Sequence, residues 1–158
     1  MSTADPKQRA AVLAPLLEQR GPDGPYYAYA AIDYLAELGE AGETVLRGFI
    51  AEDAKRSIDP EIMGRAKLGV RKIELTRQVA SVGPADVVQA LSTAARTPTR
   101  RQMDREFAKW VVGELAKRRP EAESELRLMI DDSRVTEDVQ VAARLALTGS
   151  ADNIRWRW

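Results

Sequence analysis

Cysteine and histidine are both absent from the 158 residues. Without them the chain has no disulfide, no thiol nucleophile, no zinc site of the usual Cys/His kind and no side chain suited to shuttle protons near neutral pH. Long apolar runs are missing as well. Nothing approaches the roughly 20 consecutive apolar residues that a membrane-spanning helix needs, and a charged fraction of 30% argues the same way. There is no glycine-rich phosphate loop and no calcium-loop pattern. The start, Met1 to Lys7, lacks a basic stretch followed by an apolar one and reads as a frayed cytosolic N-terminus.

What is present is enough to build a core. The chain is 44% hydrophobic and about the size of one domain, so one domain is expected over 1–158, with a flexible start over about 1–6 and an extended tail over about 150–158. The net charge of zero hides an uneven distribution: 6 basic and 10 acidic side chains over 1–60, 13 and 6 over 61–119, and 5 and 8 over 120–158. The basic middle segment is a candidate face for an anionic partner, although helices can scatter these side chains around several faces.

Periodicity is helical throughout. Ala11, Val12, Leu13, Leu16 and Leu17 suit a helix that Pro15 bends or replaces with a new turn. Gly21 to Pro25 is a loop, and Ala28, Ala31, Ile32, Leu35 and Leu38 share a face that Gly39 ends. A helix from near Gly42 carries Val45, Leu46, Phe49 and Ile50. Asp59 and Pro60 give an N-cap with proline in the first turn, and Gly69 either stops that helix or marks a tight contact within a longer one through Ile73 and Val79. Gly83-Pro84 precedes the stripe Val87, Val88, Leu91, Ala94 and Ala95. After the junction Thr97-Pro98-Thr99, the spacing of Thr99 and Gln102 predicts a capping box for a helix with Met103, Phe107, Trp110, Val111 and Leu115. Pro120 opens a segment with Leu126, Met129 and Ile130, and Thr136 caps a last helix with Val139, Ala142, Ala143, Ala146 and Leu147. Eight or nine amphipathic helices result, with no strand.

Residues 35–50 return as residues 115–130, with Leu35/Leu115, Leu46/Leu126, Arg47/Arg127 and Ile50/Ile130 in register and Phe49/Met129 a conservative exchange. After a three-residue contraction Ile62, Ala66 and Leu68 correspond to Val139, Ala143 and Leu145. Asp138 to Leu147, an acidic residue, a valine, a polar residue and spaced small residues, resembles the second helix of a HEAT-like repeat. Glu125 to Asp132 resembles its first helix and turn. The segment from Asp59 to Leu68 is a poorer copy, departing at Pro60, Gly64 and Lys67. The resemblance is specific over about 120–149 and implies a right-handed stack of antiparallel helix pairs, an all-α superhelix of about four units. It also implies macromolecular binding, of proteins mostly and of nucleic acid sometimes. A few related small domains are lyases or DNA glycosylases, but no catalytic residue of theirs matches a position here.

Three clusters are candidate binding sites, each with an ordinary structural reading beside it. Arg101, Arg105 and Lys109 are spaced by four and could follow phosphates or an acidic protein, or form a solvated face. Tyr26, Tyr27, Tyr29 and Tyr34 lie within nine positions; they either cap the N-terminal helices or supply the rigid amphipathic area that interfaces favour. Trp156 and Trp158, alternating with arginine at the tail, either cover the last helix or dock a partner through stacking. For acid–base chemistry only carboxylate pairs at turns remain, Asp131 with Asp132 and Glu52 with Asp53, where solvation of helix ends explains them. The expectation is therefore a cytoplasmic protein-binding adaptor, inhibitor or regulatory subunit with no cofactor or metal, no catalytic residue and no integral membrane association. Nucleic-acid binding through the central basic segment is the first alternative and a small carboxylate-dependent enzyme the second.

Overall fold

The computed structural model describes residues 4–96 and 101–148, and within them the fold is all-α, with no strand among the described residues. Its helices are α1 (Pro6–Leu13), α2 (Gly24–Glu37), α3 (Glu40–Ala51), α4 (Pro60–Ala80), α5 (Pro84–Ala95), α6 (Gln102–Ala116), α7 (Glu123–Ile130) and α8 (Glu137–Thr148). The chain's contacts fall into two compact units, Met1–Arg77 and Gln78–Trp158.

In the first unit, α1 begins at Pro6, inside the span expected to be frayed, with the Asp5 carboxylate accepting from the Lys7 N–H at 3.1 Å. Proline at position 15 ends α1 and a 3-10 turn, Ala14–Glu18, takes over. That turn buries Leu17, whereas Val12, read as apolar facing, stands 72% exposed. Gly39 separates α2 from α3 with φ of 62°, a conformation that costs glycine little. Three residues on, a Cβ on Gly42 would stand 1.7 Å from the Leu35 carbonyl oxygen, so only glycine allows this close return. Helix α4 starts as its sequence predicts: the Asp59 carboxylate accepts from the Glu61 and Ile62 N–H groups at 2.9 and 3.3 Å, a cap that contributes about 1 kcal/mol. It runs unbroken past Gly69, which lies against Leu46 and Ile32. Ile32, Leu35, Leu46, Phe49, Ala66, Val70 and Ile73 form the core that α2, α3 and α4 share. Glu43 to Arg77 at 2.8 Å and Arg47 to Glu74 at 2.6 Å tie α3 to α4 along its flank.

In the second unit, α5 packs on α6, and α8 packs on both α6 and α7. Leu91, Val111, Val112, Leu115, Leu126, Met129, Val139 and Ala142 are all buried. Small residues on α8, Ala142, Ala143 and Ala146, allow close approach of its neighbours. Helix α6 starts at Gln102 with Arg101 at the N-cap position and no side-chain cap. Gln102 is thus the first helical residue rather than the third, and it does not close the capping box predicted from Thr99; residues 97–100 lie outside the described residues. The tail with Trp156 and Trp158 lies outside them too. No helix among the described residues is long and apolar enough to cross a membrane.

Candidate functional site

Helix α2 carries all four tyrosines and no lysine or arginine. At 100° per residue, Asp33, Tyr26, Glu37, Ala30, Tyr34 and Tyr27 follow one another around an arc of roughly 120°, and the stretch from Tyr26 to Glu37 is roughly 16 Å long. The opposite side holds Ala28, Ala31, Ile32 and Leu35, all buried in the first unit's core. The burial pattern therefore fixes the rotation of the helix and turns the aromatic arc outward. Tyr26, Tyr27 and Tyr34 are 72%, 52% and 60% exposed. Three exposed aromatic rings, Tyr26 and Tyr27 together and Tyr34 about two turns on, share this face with the carboxylates of Asp33 and Glu37.

Tyr29 departs from the group. It points to the flank of α2, half-buried, with the Arg65 guanidinium of α4 stacked 4.3 Å from the ring centroid. Burial, and next the negative charge of Glu61, raise its hydroxyl above the usual tyrosine range. Arg65 also donates to Glu61 at 3.5 Å, while its buried Nε finds no acceptor among the described residues. The ring face thus supplies much of what holds this guanidinium. Of the four tyrosines singled out together, three form a free face and the fourth is a structural contact.

The basic series separates further. Lys109 is only 12% exposed in its side chain, drawn inward to Glu106 at 2.8 Å and Asp138 of α8 at 3.8 Å. Its charge is already balanced, which removes it from a solvent-facing phosphate track. Arg101 and Arg105 are exposed. In the first unit Arg77 is held by Glu43. Spacing alone placed Arg101, Arg105 and Lys109 on one side, and the acid that α8 brings to Lys109 was not readable from α6.

A polar network that reaches from a buried serine to the surface of the second unit is the feature the sequence concealed. Ser92 is fully buried and donates to Glu125 at 2.7 Å, while accepting from Arg96. Arg96 also donates to Glu125 at 3.1 Å and, through Nε, to Asp132 at 2.8 Å. Arg134 grips the same Asp132 with its backbone N–H at 2.9 Å and its guanidinium at 3.0 and 2.9 Å. These bonds, those of Arg134 first, hold the Asp132 carboxyl far below the usual carboxylate range. The Ser92 hydroxyl, bonded to Glu125, lowers the pKa of that carboxyl from its ordinary value. Arg96 lies 29 and 36 residues from its two acids, a separation no local pattern reveals.

The network also bears on acid–base chemistry. Asp131 and Asp132 line an open hollow of about 370 Å³ with Arg96, Arg127, Leu128 and Arg134, but Asp132 is locked in its ionised, neutralised form. Asp53 is engaged as well, accepting from the Ile58 N–H at 3.0 Å in the turn before α4. One carboxylate of each pair is thus held by structural hydrogen bonds. Among the described residues no group of three acids is placed to hold a metal ion.

The described residues form an all-helical fold whose exposed tyrosines lie on the outer face of α2. Comparison of the chain with family models, curated proteins and solved structures finds no match.

Proposed function

We propose that this is a protein-binding module whose recognition surface is the outer face of α2. The single observation that carries the reading is the exposure of Tyr26, Tyr27 and Tyr34 on one arc with Asp33, on a helix without a basic residue. Tyrosine brings large, rigid, amphipathic area to an interface at low entropic cost. The role that follows is that of an adaptor, inhibitor or regulatory subunit.

The HEAT-like reading belongs to the same proposal. Leu35 and Leu115 are both fully buried, as are Leu46 and Leu126, and Ala66 and Ala143. An acid–arginine pair recurs at the matching place, Glu43 with Arg47 at 3.4 Å and Glu123 with Arg127 at 2.5 Å. Equivalent burial and an equivalent ion pair support descent of the two blocks from one helical unit.

The reading is tested by capture from the native source with three forms of the chain. Wild type and the Arg101→Glu/Arg105→Glu variant are expected to retain the same stoichiometric protein, and the Tyr26→Ser/Tyr27→Ser/Tyr34→Ser variant to lose it. Equal retention by the tyrosine variant contradicts the proposal. Nucleic acid retained by wild type and lost with the arginine variant would put the basic residues of α6 in its place.

A further inference from the structure

The outer face of α2 has a chemistry specific enough to name what it takes. Its exposed tyrosines, 26, 27 and 34, offer ring faces, and Asp33 offers a carboxylate on the same arc, with no lysine or arginine on the helix to neutralise it. Among the described residues the side chains of Asp33 and these three tyrosines make no hydrogen bond, ion pair or ring contact. On the flank of the same helix the complementary arrangement is already filled. The Tyr29 ring carries the Arg65 guanidinium over its face, 4.3 Å from the centroid, with the Glu61 carboxylate accepting from the guanidinium at 3.5 Å. Ring and carboxylate together satisfy the two sides of one planar cation, its face by the aromatic quadrupole and its edge by hydrogen bonding.

From this we infer that the α2 face binds an arginine-bearing peptide segment of its protein partner, with one guanidinium stacked on Tyr34 and bonded to its neighbour Asp33, and a second stacked on Tyr26, roughly 12 Å away along the helix. The inference rests on the protein-binding reading above and gives that partner its chemistry. Arginine is specified over lysine because only a planar, weakly hydrated guanidinium can lie on a ring and still direct N–H groups in its plane at a carboxylate. An ammonium would keep the charge attraction to Asp33 but lose the stack.

The experiment is a titration of the full chain with fluorescently labelled hexa-arginine and hexa-lysine peptides, read by anisotropy near physiological salt, where long-range attraction between exposed charges is largely screened. Hexa-arginine is expected to bind roughly tenfold more tightly, the equivalent of two exposed cation–π contacts. Tyr26→Phe/Tyr34→Phe keeps the rings and is expected to keep that preference. Tyr26→Leu/Tyr34→Leu is expected to abolish it, and Asp33→Asn to weaken both peptides. All these positions are exposed, and circular dichroism of each variant checks that the helices persist. Equal affinity for the two peptides overturns the inference, as does a preference that survives the leucine variant. If capture of the native partner still depends on the tyrosines while the peptides bind equally, the docking face stands and the arginine assignment falls. If capture too is indifferent to the tyrosines, both fall.

Discussion

Asp132 is the most constrained carboxylate described, and the direction of its shift fixes how stability responds to acid. Its folded pKa is depressed below the unfolded value by bonds from Arg134 and Arg96. The stabilisation is therefore complete above about pH 4, where an unfolded aspartate is ionised, and is lost as pH falls from there toward the folded pKa. Urea denaturation of Asp132→Asn is expected to give lower stability than wild type at neutral pH and a flatter decline below about pH 4. Asp131→Asn at the exposed neighbour serves as the control. An unchanged acid limb in Asp132→Asn would contradict the network. Ser92→Ala tests the same cluster from its buried side. It strips a donor from Glu125 and an acceptor from Arg96 in a fully buried place, and a loss of about 1–3 kcal/mol is expected from the denaturation midpoint. The acidic turn and the basic series were readable from sequence, but not their joining, because Ser92, Arg96, Glu125 and Asp132 come from three separate elements.

Helices and their junctions were the most legible part, because proline and glycine mark them chemically. Pro60, Pro84 and the Gly39 turn stand where punctuation predicted. The ambiguity at Gly69 was resolved by packing, since a helix can absorb one glycine where a neighbour needs the room. Substitutions by alanine should rank by the space each Cβ meets. Gly48 faces nothing within 4 Å, so Gly48→Ala is expected to raise stability by about 0.5–1 kcal/mol through helix propensity. Gly69→Ala presses on Leu46 Cδ1 at 3.0 Å and Ile32 Cγ2 at 3.3 Å, both in the buried core, so about 1–3 kcal/mol should be lost. Gly42→Ala meets a backbone carbonyl oxygen and should cost the most. Thermal midpoints of the three variants measure this order, and a stabilising Gly42→Ala would contradict the tight α2–α3 return. The tyrosine face was half legible at this scale. Wheel geometry puts Asp33 beside Tyr26 but leaves Tyr29 only about 60° from it, so what sets Tyr29 apart is the stacking of Arg65 from α4.

At the scale of the whole molecule, aromatic residues divide between the two units. All four tyrosines lie in Met1–Arg77 and all three tryptophans in Gln78–Trp158, so each unit has its own optical reporter. Gly69→Ala is expected to move the midpoint read by tyrosine, and Ser92→Ala the midpoint read by tryptophan. A tryptophan transition untouched by Ser92→Ala would remove that serine from the second unit's core. The all-α class was evident from the sequence because apolar spacing near 3.6 residues recurs along its length. The division into units was not, since the helix Pro60–Ala80 passes their boundary without any break in composition. The central claim remains that one face of α2 meets a protein partner. Its most direct measurement places a photo-reactive residue at Tyr34, and in a control chain at the exposed Val12 of α1, followed by irradiation in cells of the native source. A discrete protein adduct from position 34, absent from position 12 and diminished by Tyr26→Leu, is the predicted result; no adduct at 34, or the same adducts from both positions, would contradict it.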